Sequence, residues 1–382
     1  MDQEKKYIME DPTRDMTELS KKMYSKAAAS MTLSQALDVL ENGDYRTIGS
    51  VLSDYAGQER PVDLLARGFM ANHPDLSWDS ASHRVRNWFN GAIRAISKED
   101  AFEVSLILGL DLKDAERMTG LITEEGFHWR DPADVVWAYG IQNKLPYTRI
   151  RELLDTVKAM DLTEAAPAQE PEHFTRNLKD KLEPLLQGSE EQLLTSMAAS
   201  RGAFGEFHNT AFSLFQAYMK LLLEGSTETV TKDLHVRDVL EKNLCRKLVP
   251  QNKKGDHRVY SEVQKVIRKN WPNETVLSKI ASRELDIPRK VMILLFLATD
   301  GSNSSYQTSD DELFLLSRDD IFRSNHNRMN RMLRSCGYRE LDPRNHFDWL
   351  VLLCICAEDV IQTEKRLRLV LSHLYDGGNE NP

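Results

Sequence analysis

The stretch Trp78–Asp111, WDSASHRVRNWFNGAIRAISKEDAFEVSLILGLD, constrains the fold more than any other part of the chain. Placed on a helix at about 100° per residue, Ser80–Ala92 sets Ala81, Val85, Trp88 and Ala92 on one side, with Phe89 at its edge. His83, Arg86 and Asn90 fall on the opposite side, with Asn87 beside them. A helix with one apolar stripe has to be covered along that stripe by other helices. The segment therefore calls for a bundle around it and leaves a short, polar, cationic face outside. Gly91 ends this helix in a left-handed cap. Ser97 starts the next one, with Asp100 three residues on as its capping-box partner. Ala101, Val104, Leu106, Ile107 and Leu108 make that second helix nearly all core, and Gly109 ends it.

The rest of the chain carries the same helical signals and no long alternating pattern, so an all-α, multi-helical fold is expected. Residues 1–31 read as a polar lead-in. Residues 32–160 form a first helical domain: Thr32 opens a helix with Gln35, Pro61 stands at a first helical position, and Asp131-Pro132 begins a further helix. Residues 161–175, DLTEAAPAQEPEHFT, are the best linker in the chain. A central helical section, 176–257, follows. Its strongest element is Phe204–Glu224, whose apolar residues recur at core-helix spacing. Residues 258–376 form a C-terminal helical domain interrupted by the polar insertion GSNSSYQTSDDE, and 377–382 are a tail.

That C-terminal domain reads as a degenerate second copy of 85–140. Ile96-Ser97-Lys98, Arg117-Met118, Gly126-Phe127, Asp131-Pro132 and Trp137 match Ile287-Pro288-Arg289, Arg328-Met329, Gly337-Tyr338, Asp342-Pro343 and Trp349. In this register His83, Arg86 and Asn90 face Glu274, Leu277 and Ala281, while Val85 and Phe89 face Val276 and Ile280. The packing side persists in the second copy and the polar side does not.

Composition narrows the function classes. A net charge of −9 counts against a dedicated nucleic-acid binder, although Arg84, Arg86, Arg94 and Lys98 stand close together with only Asp79 against them on 78–98. Four unevenly spaced cysteines fit a reducing cytoplasm rather than a disulfide framework. No signal peptide and no membrane span are expected. No glycine-rich phosphate loop, HExxH or paired CxxC is present. Cys354 and Cys356 read as buried structural thiols, and His326 and His346 near Cys336 fit no regular zinc spacing. Neither a metal nor a cofactor is therefore expected, and the chain does not read as an enzyme.

The run Arg86-Asn87-Trp88-Phe89-Asn90-Gly91, the short link to Ile96-Ser97 and the helix ending Leu108-Gly109-Leu110 resemble the Cro/repressor-type (XRE-like) helix-turn-helix family over roughly Tyr45–Leu121. The resemblance implies that the helix through Arg86 is a recognition helix and that His83, Arg86, Asn87 and Asn90 face bases. Arg84, Arg94 and Lys98 complete the implied DNA-binding set. Arg and Asn suit bidentate readout of guanine and adenine. The chain departs from the family at Phe69–Ser77, FMANHPDLS, a longer Pro-containing joint where the family has a tight turn. The expected function is that of a bacterial-type DNA-binding regulator. Its other helices would bind a protein or peptide partner or form a homodimer. The alternative is a helical adaptor or scaffold of a mobile-element or phage-defence system. A lesser alternative rests on Arg201 and His208 in RGAFGEFH, which are similar to the catalytic pair of HEPN-type ribonucleases, although Gly202 stands where a polar residue usually follows the Arg.

Overall fold

The structure is a computed structural model. It describes residues 16–28, 33–57, 59–90, 96–123, 125–160, 162, 182–200, 204–205, 207–224, 236–250, 258–299, 318–355 and 363–376. The fold is all-α, with no strand among the described residues. In chain order the α-helices are α1 (Glu18–Ala28), α2 (Leu33–Asn42), α3 (Ile48–Tyr55), α4 (Pro61–Asn72), α5 (Trp78–Phe89) and α6 (Lys98–Ile107). They continue as α7 (Leu112–Thr123), α8 (Pro132–Gln142), α9 (Tyr147–Ala159), α10 (Glu190–Ala199), α11 (Asn209–Glu224) and α12 (Glu262–Asn270). The last are α13 (Glu274–Ala281), α14 (Arg289–Thr299), α15 (Arg318–Ser335), α16 (His346–Ile355) and α17 (Thr363–Asp376). No helix among the described residues is long and apolar enough to cross a membrane.

The chain divides into two compact units. The central unit is Arg46–Phe212 with Arg334–Arg339; the terminal unit is Met1–Tyr45, Ser213–Leu333 and Glu340–Pro382, as far as these are described. This division differs from the boundaries expected at 32, 160, 176 and 258. The helix at 33–42 goes with the C-terminal helices, and the stretch 182–212 goes with α3–α9. The linker 161–175, apart from Leu162, the polar insertion 301–312 and the tail 377–382 lie outside the described residues. Within the lead-in expected at 1–31, α1 buries Met23, Tyr24 and Ala27.

Two apolar clusters fill the central unit. The first joins α3–α7 through Val51, Leu52, Leu65, Phe69, Val85, Trp88, Val104 and Met118. The second joins α8 and α9 to the stretch after Leu182 through Val135, Trp137, Ile141, Leu153, Leu186, Leu193, Met197 and Phe204. Ser77, Ser97 and Asp131 cap α5, α6 and α8 with their side chains, and Pro132 takes the first position of α8. Gly109, Gly126 and Gly337 have φ of +63°, +66° and +82°, the left-handed region in which a glycine avoids the Cβ penalty.

Each unit builds one corner with the same hydrogen bonds. In the central unit the Asp131 N–H donates to the His128 carbonyl at 2.7 Å, Asp131 Oδ1 accepts from the Ala133 N–H, and the His128 N–H donates to Asp134 Oδ2 at 2.6 Å. In the terminal unit the Asn345 N–H donates to the Asp342 carbonyl at 2.9 Å, Asn345 Oδ1 accepts from the Phe347 N–H, and the Asp342 N–H donates to Asp348 Oδ2 at 2.9 Å. A cation from the start of an apolar helix completes each corner, Lys98 on Asp134 and Arg289 on Asp348. The pairing of Lys98 with Arg289 is the one expected from the sequence, but the carboxyl end needs correction. Asp131 corresponds to Asn345, three residues after Asp342. Asp342-Pro343 forms a turn, with Asp342 Oδ1 accepting the Arg344 N–H, and does not start the helix. A second correction concerns α13. Leu277 is 0% exposed and buried like Ile280, so it lies on the packing side of α13 and does not take the place of the exposed Arg86.

Candidate nucleic-acid interface

α5 is fixed at its N-terminus and from beneath. Ser77 accepts the Ser80 N–H at 3.2 Å and so caps the helix. Ala81, Ser82, Val85 and Trp88 are buried, and Phe69 of α4 meets the Trp88 ring edge-on at 5.7 Å. His83, Arg86 and Asn90 are exposed, and Asn87 is half-buried. Asn87 Nδ2 lies 3.4 Å from His83 Nδ1, the i, i+4 neighbour on the same face. Trp78, 38% exposed, Asp79 and Ser80 stand at the open N-terminal end of this face. The structure thus brings four of the expected site residues together on one strip of one helix.

The other three are not part of that strip as it is described. Arg84 is a packing residue. Its guanidinium pairs with Asp100 and lies over the rings of Phe69 and Trp88, at 4.8 and 5.7 Å from their centroids. Lys98 is turned inward, with its Nζ 2.8 Å from Asp134 Oδ2. Burial lowers the Lys98 pKa, but the Asp134 charge and hydrogen bond outweigh it and leave it raised. Burial raises that of Asp134, an effect partly offset by Lys98 and the His128 N–H. Each of these two cations is thus paired with a carboxylate of the same unit. Arg94, with Gly91, lies outside the described residues.

The joint between α4 and α5, longer than a tight turn, has a support that the sequence reading did not include. Glu103 of α6 is 5% exposed. Its carboxylate accepts Asn72 Nδ2 at 3.0 Å and pairs with His73 Nε2 at 3.0 Å. A buried carboxylate needs such donors, and here they come from the last residue of α4 and the first of the joint. The signal was present as a lone Glu in the apolar run AFEVSLIL. Asn72 and Tyr147 also line a cavity of about 480 Å³, walled by apolar residues such as Leu64, Leu106 and Ile141 together with Arg67 and Lys144.

The enzyme-like residues are placed differently. His208 is 7% exposed and stacks on the ring of His128; Arg201 lies outside the described residues. Cys245, Cys336 and Cys354 are buried thiols. Burial pushes Cys336 up to about 12 and raises Cys354 as well, which suppresses the thiolate a nucleophile requires. Cys356 lies outside the described residues. Comparison of the chain with protein-family models, with curated proteins and with solved structures returns no match.

Proposed function

We propose that the central unit binds double-stranded DNA, with α5 as the element that enters the major groove, and that the protein is a DNA-binding regulator. The observation that carries this reading is the exposed strip of His83, Arg86, Asn87 and Asn90 on a helix whose opposite side is locked into a core. Rigid presentation of Arg and Asn side chains on a short helix is what base readout uses. The likeness to the Cro/repressor-type family supports the same assignment. With Arg84 and Lys98 held by carboxylates, Arg86 is the key cation of the strip. Arg86→Ala is then expected to weaken duplex binding by about 1–3 kcal/mol, and wild-type binding should fall as salt rises. Fluorescence anisotropy with a pool of labelled genomic duplexes at two salt concentrations reads both. Absence of salt-sensitive duplex binding by the wild-type chain overturns the proposal.

A second reading is a helical adaptor that binds a protein or peptide partner, or a second copy of itself, without touching DNA. It is favoured by the net charge of −9 and by the engagement of Arg84 and Lys98 inside the fold. No duplex shift, together with a partner that protects the helices from proteolysis, supports this second reading.

A further inference from the structure

The central unit buries two imidazoles face to face. His128 is 4% and His208 7% exposed, with ring centroids 3.9 Å apart and planes 16° from parallel. The Tyr338 ring packs on the other ring of the pair, 4.7 Å from His208 and tilted by 36°. The three rings come from three distant stretches: the corner before α8, the turn before α11, and the segment 334–339. The backbone joins the first two as well, because the Gly205 N–H donates to the Arg130 carbonyl at 2.9 Å. His128 Nε2 is buried without a hydrogen-bond partner.

A metal does not suit this pair. The rings lie parallel instead of converging on one point, and Lys98 and Arg130 act on His128 as like charges to any cation. No group of three His, Cys, Asp or Glu side chains gathers among the described residues. The chemistry left to a buried imidazole pair is proton uptake.

We propose that the His128–His208–Tyr338 stack is an acid-released clamp. It holds the turn before α11 and the segment 334–339 on the body of the central unit while the His128 ring is neutral, and it opens when that ring takes up a proton. The charged groups facing His128 are Lys98 from α6, Arg130 and Asp131 from its own corner, Asp134 from α8, and His208 from the turn before α11. From the segment 334–339, Tyr338 meets His208, and Arg339 packs beside Gly120 of α7. Both nearby carboxylates already have partners. Asp134 is held by Lys98 and the His128 N–H, and Asp131 caps α8. A proton on the stack would therefore be a buried charge facing cations.

Burial first, and then His208, Lys98 and Arg130, push the His128 pKa well below its ordinary 6.5. In the opened form it returns toward that value, so the opened form binds more protons. The clamp is at full strength above about pH 6.5 and weakens as pH falls through it. For one imidazole that stays neutral when clamped, the opening equilibrium rises about tenfold between pH 7.5 and 5.5. The chain leaves the central unit after Phe212 and re-enters it at Arg334, so both crossings start from stretches that this stack ties down.

Hydrogen exchange on the full chain at pH 7.5 and 5.5, corrected for intrinsic exchange rates, tests the clamp. The expected result is about tenfold lower protection at pH 5.5 in peptides spanning 204–212 and 334–339, with the first cluster around Val85 and Trp88 unchanged. The variant His128→Phe with His208→Phe keeps aromatic rings in place and removes the titration, so its protection should not depend on pH. If that variant does not fold, the wild type decides alone. Equal protection at both pH values, or loss spread evenly over the whole central unit, overturns the proposal. So does a folded double variant that keeps the wild-type pH dependence.

Discussion

Asp348 is fully buried, and three donors converge on it: Arg289 Nη1 at 2.7 Å, Arg289 Nη2 at 3.0 Å and the Asp342 N–H at 2.9 Å. Arg289 Nη2 also donates to the Glu340 carbonyl at 3.0 Å, so one fork ties a helix start to the corner that precedes the next helix. Removing one member of such a pair leaves a charge that water cannot reach. Asp348→Ala is expected to cost about 3–5 kcal/mol, read as a shift of the urea midpoint. Replacing both members, Arg289→Met with Asp348→Leu, is expected to cost less than Asp348→Ala alone, because no lone charge remains. A double variant less stable than the single one would mean that the fork itself stabilises the corner and that the desolvation argument fails. Little of this could be read from the sequence. Lys98 and Arg84 stood out there as cations in a basic stretch because their partners are remote: Asp134 is 36 residues from Lys98 and Asp100 is 16 from Arg84. Charge density along a chain shows where cations are, not which of them are already matched. For Arg86, with exposure and no apolar partner on its side of the helix, the periodic spacing alone was enough to place it outside.

α5 is positioned by close contact as well as by its apolar stripe. A Cβ at Gly49 of α3 would stand 2.8 Å from Phe89 Cα and 2.9 Å from Phe89 Cδ1. The first is backbone, which cannot swing aside as a side-chain tip can. Gly49→Ala is therefore expected to destabilise the central unit by about 1–3 kcal/mol through overpacking. That would come despite the roughly 1 kcal/mol by which alanine favours a helix interior over glycine. Thermal unfolding followed by circular dichroism measures it; a neutral or stabilising result would mean that α3 and α5 do not approach this closely. At this scale the sequence was informative. Apolar spacing located α5 and α6 to within a few residues, and Ser97, Asp131 and Pro132 marked starts that the caps bear out. Two readings slipped for a physical reason. Pro fits both the first residue of a helix and the second of a turn, since both want φ near −65°, so Asp342-Pro343 looked like a helix start. And on a short helix such as α13, moving the register by one residue barely changes the apolar count, although it decides whether Leu277 lies inside or outside.

At the scale of the whole molecule, chain order and contact order part company. The Ala/Pro/Glu-rich stretch 161–175 has the composition of a linker, yet the residues beyond it return to α8. Tyr139 Oη donates to the Gly188 carbonyl at 3.1 Å, and Asn143 Nδ2 to the Leu186 carbonyl at 2.8 Å. Leu182, Leu186, Leu193, Met197 and Phe204 then enter the cluster built on Val135, Trp137 and Ile141. Composition reports local stiffness and solvation, and it says nothing about where a chain goes after a loop. The consequence can be measured with two fragments, 46–160 and 46–212, which differ only in the returning stretch. Each large apolar side chain fully buried contributes about 1.5–3 kcal/mol, an upper figure because unfolded chains are already partly compact. Loss of six such side chains, these five and Leu162, exceeds the margin of a typical domain. The fragment ending at Met160 is therefore expected to bind a hydrophobic dye such as ANS and to lack a cooperative urea transition. The fragment ending at Phe212 should unfold cooperatively. Equal midpoints for the two would mean that 182–212 only rests on α8 and α9, and the division of the chain after Phe212 would then have to move back to the linker.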